Sequence, residues 1–143
     1  MKRAAAFSLL EVLIALLIVA IVSFAVSTTI LASSKSNANN RTRSRAVAAA
    51  NAWMDRFRSY SLPFGYFSSG VDYDYGYDYA SDPVITASND PNLAEVAQEW
   101  SKYKFYVKTT SISNNPAIWR IEVVAYYKKK GGGEGHFQLV TVR

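Results

Sequence analysis

Glu11 is the residue of the amino-terminal third whose chemistry most needs an explanation. It stands near the start of an apolar run, FSLLEVLIALLIVAIV, that extends over residues 7–22 without a second charged residue. An ionised carboxylate inside the hydrocarbon layer of a membrane costs several kcal/mol. Such a group is tolerated when it is protonated, reaches the headgroups or meets a cation, and this run supplies no basic residue.

The sequence contains no convincing catalytic or metal-binding set. Its 143 residues include no cysteine and a single histidine, His136. Thiol catalysis, disulfide bonds and cysteine-ligated metals are therefore excluded, and one histidine does not build a three-histidine zinc site. The stretch GGGEG at residues 131–135 lacks the Gly-Lys-Ser/Thr ending of a phosphate-binding loop, which indicates a hairpin turn. We predict a protein that is not an enzyme and has neither a cofactor nor a metal site.

Cations and aromatic residues alternate along two predicted strands near the carboxyl end. The set on one face consists of Lys104, Tyr106, Lys108, Arg120, Tyr126 and Lys128. Phosphate attraction combined with base stacking is how non-specific DNA binders work. The formal net charge of +5 also suits an anionic partner such as DNA or a lipid surface. The alternative is an ordinary strand face that lysine keeps soluble.

A membrane-length helix positions Glu11. Residues 7–32 are apolar apart from Glu11 and a few hydroxyl residues, and about twenty helical residues cross the hydrocarbon layer. Lys2 and Arg3 precede the run, so the positive-inside rule places the amino end in the cytoplasm and the rest of the chain outside. A secretory signal peptide and a plain uncleaved anchor are the alternatives. The acid in the run and a helical pattern that continues beyond it disfavour a signal peptide.

The amino-terminal motif carries a family resemblance. A short basic leader at residues 1–6, then Phe7-Ser8-Leu9-Leu10-Glu11 and an apolar helix, resembles the prepilin signal of type IV pilins and type II secretion pseudopilins. It looks more like the signal of minor pilins and pseudopilins than like that of major pilins. In that family a prepilin peptidase cuts before the phenylalanine and N-methylates it, and the fifth mature residue is glutamate. The resemblance implies a cut between Ala6 and Phe7, methylation of Phe7 and a role in assembly for Glu11. Ala6 departs from the family pattern, which normally has glycine there.

The resemblance also implies a function, partners and a location. It implies a structural subunit of a type IV pilus or a related pseudopilus. The subunit spans the bacterial inner membrane once and later joins a cell-surface pilus or a periplasmic pseudopilus. Its partners would be other pilin subunits, prepilin peptidase, the inner-membrane assembly platform and, before assembly, lipid. The alternatives are a DNA- or surface-binding minor pilin that acts in competence or adhesion, and a pseudopilin of type II secretion.

The predicted cut supplies a partner for Glu11. Cleavage before Phe7 creates an α-amino group with an unperturbed pKa of about 8. Within one helix this amine and Glu11 are four residues apart, so they can meet in one subunit or across two packed subunits. A buried charge pair of this kind adds little net stability but sets the axial register between helices.

The remainder of the chain predicts an exposed amphipathic continuation of the helix over residues 33–60. Residues 33–45 are polar and fit either a linker or an exposed helix. Apolar side chains then recur at spacings of three and four residues, with Trp53 alongside: Val47, Ala50, Met54 and Phe57. This spacing is typical of a helix that covers a sheet, and the helix is expected to end near residues 60–63.

Residues 61–100 have the composition of a variable loop region. Within it, VDYDYGYDYASD at residues 71–82 alternates tyrosine with aspartate, which predicts a short strand with one aromatic and one acidic face. The acids also raise a calcium hypothesis, although the spacing and terminal glutamate of an EF-hand loop are missing. We favour a tyrosine-rich surface loop that packs on neighbouring subunits or meets a ligand. Residues 93–100 fit a short helix.

Residues 101–143 predict an antiparallel sheet. Alternating patterns indicate strands at residues 102–110, 119–128 and 137–142, with turns at 114–116 and 131–133. One apolar face of this sheet would meet the amphipathic helix. We predict an α+β fold in which a long amino-terminal helix, transmembrane and then amphipathic, packs on a small antiparallel β-meander, as the pilin resemblance also implies.

Overall fold

A computed structural model of the chain describes residues 8–59, 64–82 and 98–143, except for the side chain of Ala80. Its first element is a single helix, α1, at Leu9–Arg58. Residues 33–45, which the sequence leaves open between linker and helix, are helical throughout. The helix ends at Arg58, two residues before the start of the predicted range of 60–63.

α1 contributes to two compact units, residues 1–38 and residues 39–143. In the first unit, residues 8–37 are all exposed, and this part of α1 is long and apolar enough to cross a membrane. The described part of this unit is therefore a helix without a core of its own. The core of the protein lies in the second unit.

The second unit contains a four-stranded antiparallel sheet in the order β1-β2-β3-β4. Its strands are β1 at Val71–Tyr73, β2 at Lys104–Asn114, β3 at Ala117–Lys128 and β4 at Glu134–Val142. Neighbours in sequence are neighbours in the sheet, which confirms the predicted meander and the α+β fold. Gly131, Gly132 and Gly133 in the β3–β4 turn have φ of 102°, 95° and 84°, a region that favours glycine.

The core lies between the carboxyl-terminal part of α1 and one face of the sheet. The helix buries a stripe made of Ala46, Ala49, Ala50, Trp53, Met54 and Phe57. The sheet contributes Phe105 and Val107 from β2, and Ile121, Val123 and Ala125 from β3. The predicted stripe is wrong at Val47, which is only half-buried. Trp53 sets the rotation of α1 about its own axis, because its large ring stacks on that of Trp100 at 5.4 Å between centroids.

The tyrosine-rich segment is only partly a surface loop, and the predicted strand is short. Tyr73 and Tyr79 are buried, with 3% and 1% of their surface exposed, and their ring centroids are 5.5 Å apart. The strand ends at Tyr73 because Gly76 turns the chain: its φ is 78°, and its amide donates to the carbonyl oxygen of Ser101 at 2.7 Å. Residues 98–100 are helical, and the rest of the predicted helix at 93–100 lies outside the described residues.

Candidate functional site

Glu11 lies in the first turn of α1, where Ser8 caps the helix. The hydroxyl oxygen of Ser8 accepts from the amide of Leu10 at 3.3 Å, and its carbonyl oxygen accepts from the amide of Glu11 at 2.9 Å. Serine at the cap with glutamate at the third helical position is the sequence signature of a capping box. The sequence interpretation misses this role of Ser8, although the Ser-x-x-Glu spacing contains the signal. The negative charge of Glu11 is also favourable at the positive end of the helix dipole.

The surroundings of Glu11 are otherwise apolar. Its side chain borders a shallow groove along the helix surface that is lined by Val12, Ala15, Leu16 and Val19. No ion pair joins Glu11 to a residue that the structure describes. Ala6 and Phe7, the predicted cleavage and methylation positions, lie outside the described residues. Glu11 is thus a carboxylate beside an apolar surface, with no cation paired to it in the described part of the chain.

Three other polar side chains between residues 7 and 32 donate hydrogen bonds to backbone carbonyls of the same helix. Ser27 donates to the carbonyl oxygen of Ser23 at 2.8 Å, and both Thr28 and Thr29 donate to that of Ala25 at 2.9 Å. Such bonds within the helix remove the cost of placing a hydroxyl in hydrocarbon. Glu11 is therefore the polar group of this run that calls for a partner from elsewhere.

The register of the sheet brings the six predicted DNA-face residues onto one face, opposite α1. Lys104 pairs with Tyr126, Lys108 with Glu122 and Thr110 with Arg120, and residues directly opposite each other share a face. This outer face holds all six: Lys104, Tyr106, Lys108, Arg120, Tyr126 and Lys128. The prediction that they act together on DNA is a separate matter, which depends on the charge of the whole face.

Acidic residues are interleaved with these cations. Asp72 pairs with Tyr106 across β1 and β2, Asp74 lies 3.8 Å from Nζ of Lys104, and Glu134 pairs with Lys128. Oε1 of Glu122 accepts from the side-chain amide Nε2 of Gln138 at 2.8 Å. Four acids thus match the four cations of the predicted set, so this face has no net positive charge.

A network around Tyr75 further occupies the outer face. Its hydroxyl donates to Oε1 of Glu134 at 2.9 Å, and Nζ of Lys128 lies 4.7 Å from its ring centroid. Nζ of Lys104 similarly lies 5.6 Å from the ring centroid of Tyr126. Cations over aromatic rings are attracted by the ring quadrupole, so these lysines and rings already engage one another.

Among the described residues, Asp82 is the one acid whose side chain is buried. Its carboxylate accepts from the hydroxyl of Tyr77 at 3.1 Å. Burial, followed by the charge of Asp82, raises the pKa of Tyr73 and of Tyr77 above the ordinary range of tyrosine. Within the described ranges, no three His, Asp or Glu side chains are grouped to hold a metal ion. His136 is exposed on β4, with its ring centroid 6.0 Å from that of Tyr126.

Comparison with known proteins identifies a family motif at the amino end of the chain. A model described as the prokaryotic N-terminal methylation motif matches residues 1–27. No curated protein and no solved structure matches the chain significantly. The motif supports a type IV pilin-like prepilin, pilin or pseudopilin, which is a structural class that assembles with other pilin subunits in a filament. Together with the apolar part of α1, it is consistent with membrane anchoring and pilus assembly.

Proposed function

We propose that this chain is a minor pilin, made as an inner-membrane prepilin and assembled through α1 into a type IV pilus or a related pseudopilus. Prepilin peptidase cuts it between Ala6 and Phe7 and methylates Phe7. The observation that carries this proposal is the methylation motif at residues 1–27, joined to an exposed apolar helix in which Glu11 is the sole charged residue between residues 7 and 32.

Glu11 acts in this proposal as the assembly residue. The new α-amino group of Phe7 is the cation that the apolar run lacks before processing. In the membrane or filament, where water does not screen them, the two charges attract strongly and fix the axial position of one helix against the next. Ser8 holds the first turn in helical form, which keeps Glu11 at the end of the helix where the amine is created.

The proposed topology is the one that the prepilin resemblance implies, and it agrees with the basic residues that directly precede the helix. Lys2 and Arg3 remain in the cytoplasm and the second unit lies outside. The helix first anchors the subunit in the inner membrane and then forms part of the filament core. The minor role is supported by the wording of the motif, LLEVLIAL at residues 9–16, which resembles minor pilins and pseudopilins more than major pilins.

The processing step is tested by the intact mass and amino-terminal sequence of the mature protein from a host with prepilin peptidase. The expected product comprises residues 7–143 with one added methyl group. Ala6→Gly, which restores the family residue, should be cut at least as completely, whereas Ala6→Asp should remain uncut. Cleavage as a secretory signal peptide, after the small residues Ala25 or Ser27, would give a mature protein that begins at Val26 or Thr28. Either of these products, or a protein that keeps Met1 in the presence of the peptidase, would contradict the proposal.

DNA binding in competence is the second candidate, because the register places its six predicted residues on one face. The four interleaved acids weigh against it, since non-specific binding requires uncompensated cations. A salt titration of DNA binding by the full chain in detergent tests it. Binding at low salt that weakens in Lys108→Gln with Arg120→Gln would support this candidate, and no binding at low salt would eliminate it.

A further inference from the structure

The β3–β4 turn carries exposed cations beside the start of the second unit. Lys129 and Lys130 lie in this turn and are both exposed. The backbone amide of Lys130 donates to Oδ1 of Asn39 in α1 at 2.7 Å. Asn39 is the first residue of the second unit. This bond therefore holds the two lysines at the end of the unit that the chain joins to the apolar run.

α1 adds two further cations at the same end. Arg41 and Arg43 follow Asn39 by two and four residues, a rise of about 3 Å and 6 Å along the helix. Both are exposed. We refer to Arg41, Arg43, Lys129 and Lys130 as the basic end.

No acid in the described part of the chain neutralises the basic end. None of its four residues forms an ion pair there. The acid that follows the turn, Glu134, accepts a hydrogen bond from Tyr75 and lies opposite Lys128. Asp74 is the next acid along this side of the sheet and is paired with Lys104. The basic end thus differs from the outer face of the sheet, where acids and cations balance.

We propose that the basic end binds anionic phospholipid headgroups and holds the second unit against the membrane surface before assembly. This inference rests on the proposed membrane-anchored state. Residues 33–38 are all that separates the apolar run from Asn39, and seven chain steps span at most about 25 Å. This short connection keeps the basic end close to the membrane surface, and therefore at a high effective concentration relative to the lipid headgroups. Each lysine or arginine close to an anionic surface raises the docked-to-free ratio about fivefold.

The test uses the full chain reconstituted in vesicles of phosphatidylcholine, alone or mixed with phosphatidylglycerol. Because the chain has no cysteine, His136→Cys provides a single fluorophore site on β4 near the basic end, and a quencher is attached to lipid headgroups. Quenching should be stronger in the phosphatidylglycerol vesicles and should weaken with added salt, which screens surface charge. Asn115→Cys, in the turn at the other end of β3, is the control position and should show no dependence on lipid charge.

Two pairs of substitutions complete the test. Lys129→Gln with Lys130→Gln should lower the docked-to-free ratio about 25-fold. The matched control, Lys108→Gln with Arg120→Gln, removes the same charge from the outer face and should leave the ratio unchanged. Equal quenching of the His136→Cys label in both vesicles, or equal loss from both variant pairs, would overturn the proposal. Protease protection of the apolar run provides a separate readout: a chain that inserts into neither vesicle would overturn the proposed membrane-anchored function as well.

Discussion

Arg143 donates from Nη1 to the carbonyl oxygen of Phe57, 3.1 Å away, at the carboxyl end of α1. It also donates to the carbonyl oxygen of Arg58. Ser59 donates to the carbonyl oxygens of the two residues before Phe57. Its amide donates to that of Asp55 at 2.8 Å, and its hydroxyl donates to that of Arg56 at 3.1 Å. The last four carbonyl oxygens of the helix, which have no partner inside a helix, are thus all satisfied. A cation at this end also suits the helix dipole.

Removal of the Arg143 guanidinium should destabilise the second unit. Arg143→Met keeps the length of the side chain and loses both hydrogen bonds, so we expect the free energy of unfolding to fall by about 1–2 kcal/mol. Urea unfolding of the full chain in detergent, followed by tryptophan fluorescence, measures the change. Arg120→Met on the outer face is the control and should change stability by less than about 0.5 kcal/mol. Equal effects of the two substitutions would refute the capping role.

The β3–β4 pairing depends on a glycine under an aromatic ring. A Cβ atom at Gly135 would lie 2.5 Å from Cζ of Tyr127, far inside van der Waals contact. Gly135→Ala should therefore cost about 1–3 kcal/mol of unfolding free energy, because the ring must move. In a Tyr127→Leu background, which lacks the far end of the ring, the same change should cost less than about 1 kcal/mol. Additive costs in the double-mutant cycle would show that this clash is not the cause.

Stability should decline at alkaline pH because buried tyrosines resist ionisation. Burial raises the pKa of Tyr79 above its ordinary value, as do the nearby Tyr73 and Asp82. The pKa is therefore higher in the folded than in the unfolded chain. This contribution is fully present below the unfolded pKa of about 10 and is lost as pH rises through the folded pKa. Unfolding free energy measured from about pH 8 to about pH 11.5 should be flat and then fall.

The Tyr79→Phe variant isolates this effect. No described residue hydrogen-bonds the Tyr79 hydroxyl, so the substitution should change stability at neutral pH by less than about 0.5 kcal/mol. It should reduce the alkaline decline, because the group that resists ionisation is gone. Tyr66, which is 56% exposed, supplies the control, and Tyr66→Phe should leave the decline unchanged. An identical decline in all three proteins would rule out Tyr79 as its source.

Filament assembly should depend far more on the charge of Glu11 than on the helix cap formed by Ser8. Glu11→Gln keeps the shape of the side chain but removes its charge. The loss of one partner from a buried ion pair costs about 3–5 kcal/mol, so incorporation into filaments should fall by more than about a hundredfold. Ser8→Ala removes the cap at about 1 kcal/mol and should reduce incorporation far less. Immunoblots of sheared filaments against whole-cell protein measure both, and normal incorporation of Glu11→Gln would refute the charge-pair model.

Much of the sheet and its partner helix is predictable because their signals are local. The alternation in β2 places Phe105 and Val107 in the core, as the pattern predicts. The helical stripe is predicted correctly at Ala50, Met54 and Phe57. Val47 is the exception, because helical spacing fixes a stripe only to within a neighbouring position. The contact between Trp53 and Trp100, residues far apart in sequence, selects the final rotation.

The candidate sites also differ in whether a local sequence pattern reveals them. The membrane-length run, the position of Glu11 within it and the amino-terminal motif are all readable from the amino-acid sequence, since each depends on spacing along one segment. The folded chain is needed to show that Tyr73 and Tyr79 enter the core and that acids neutralise the outer face. It is also needed to show that Lys130 lies beside Asn39. These outcomes depend on strand register and on which turns bring distant segments together, and no local pattern of side chains encodes that choice.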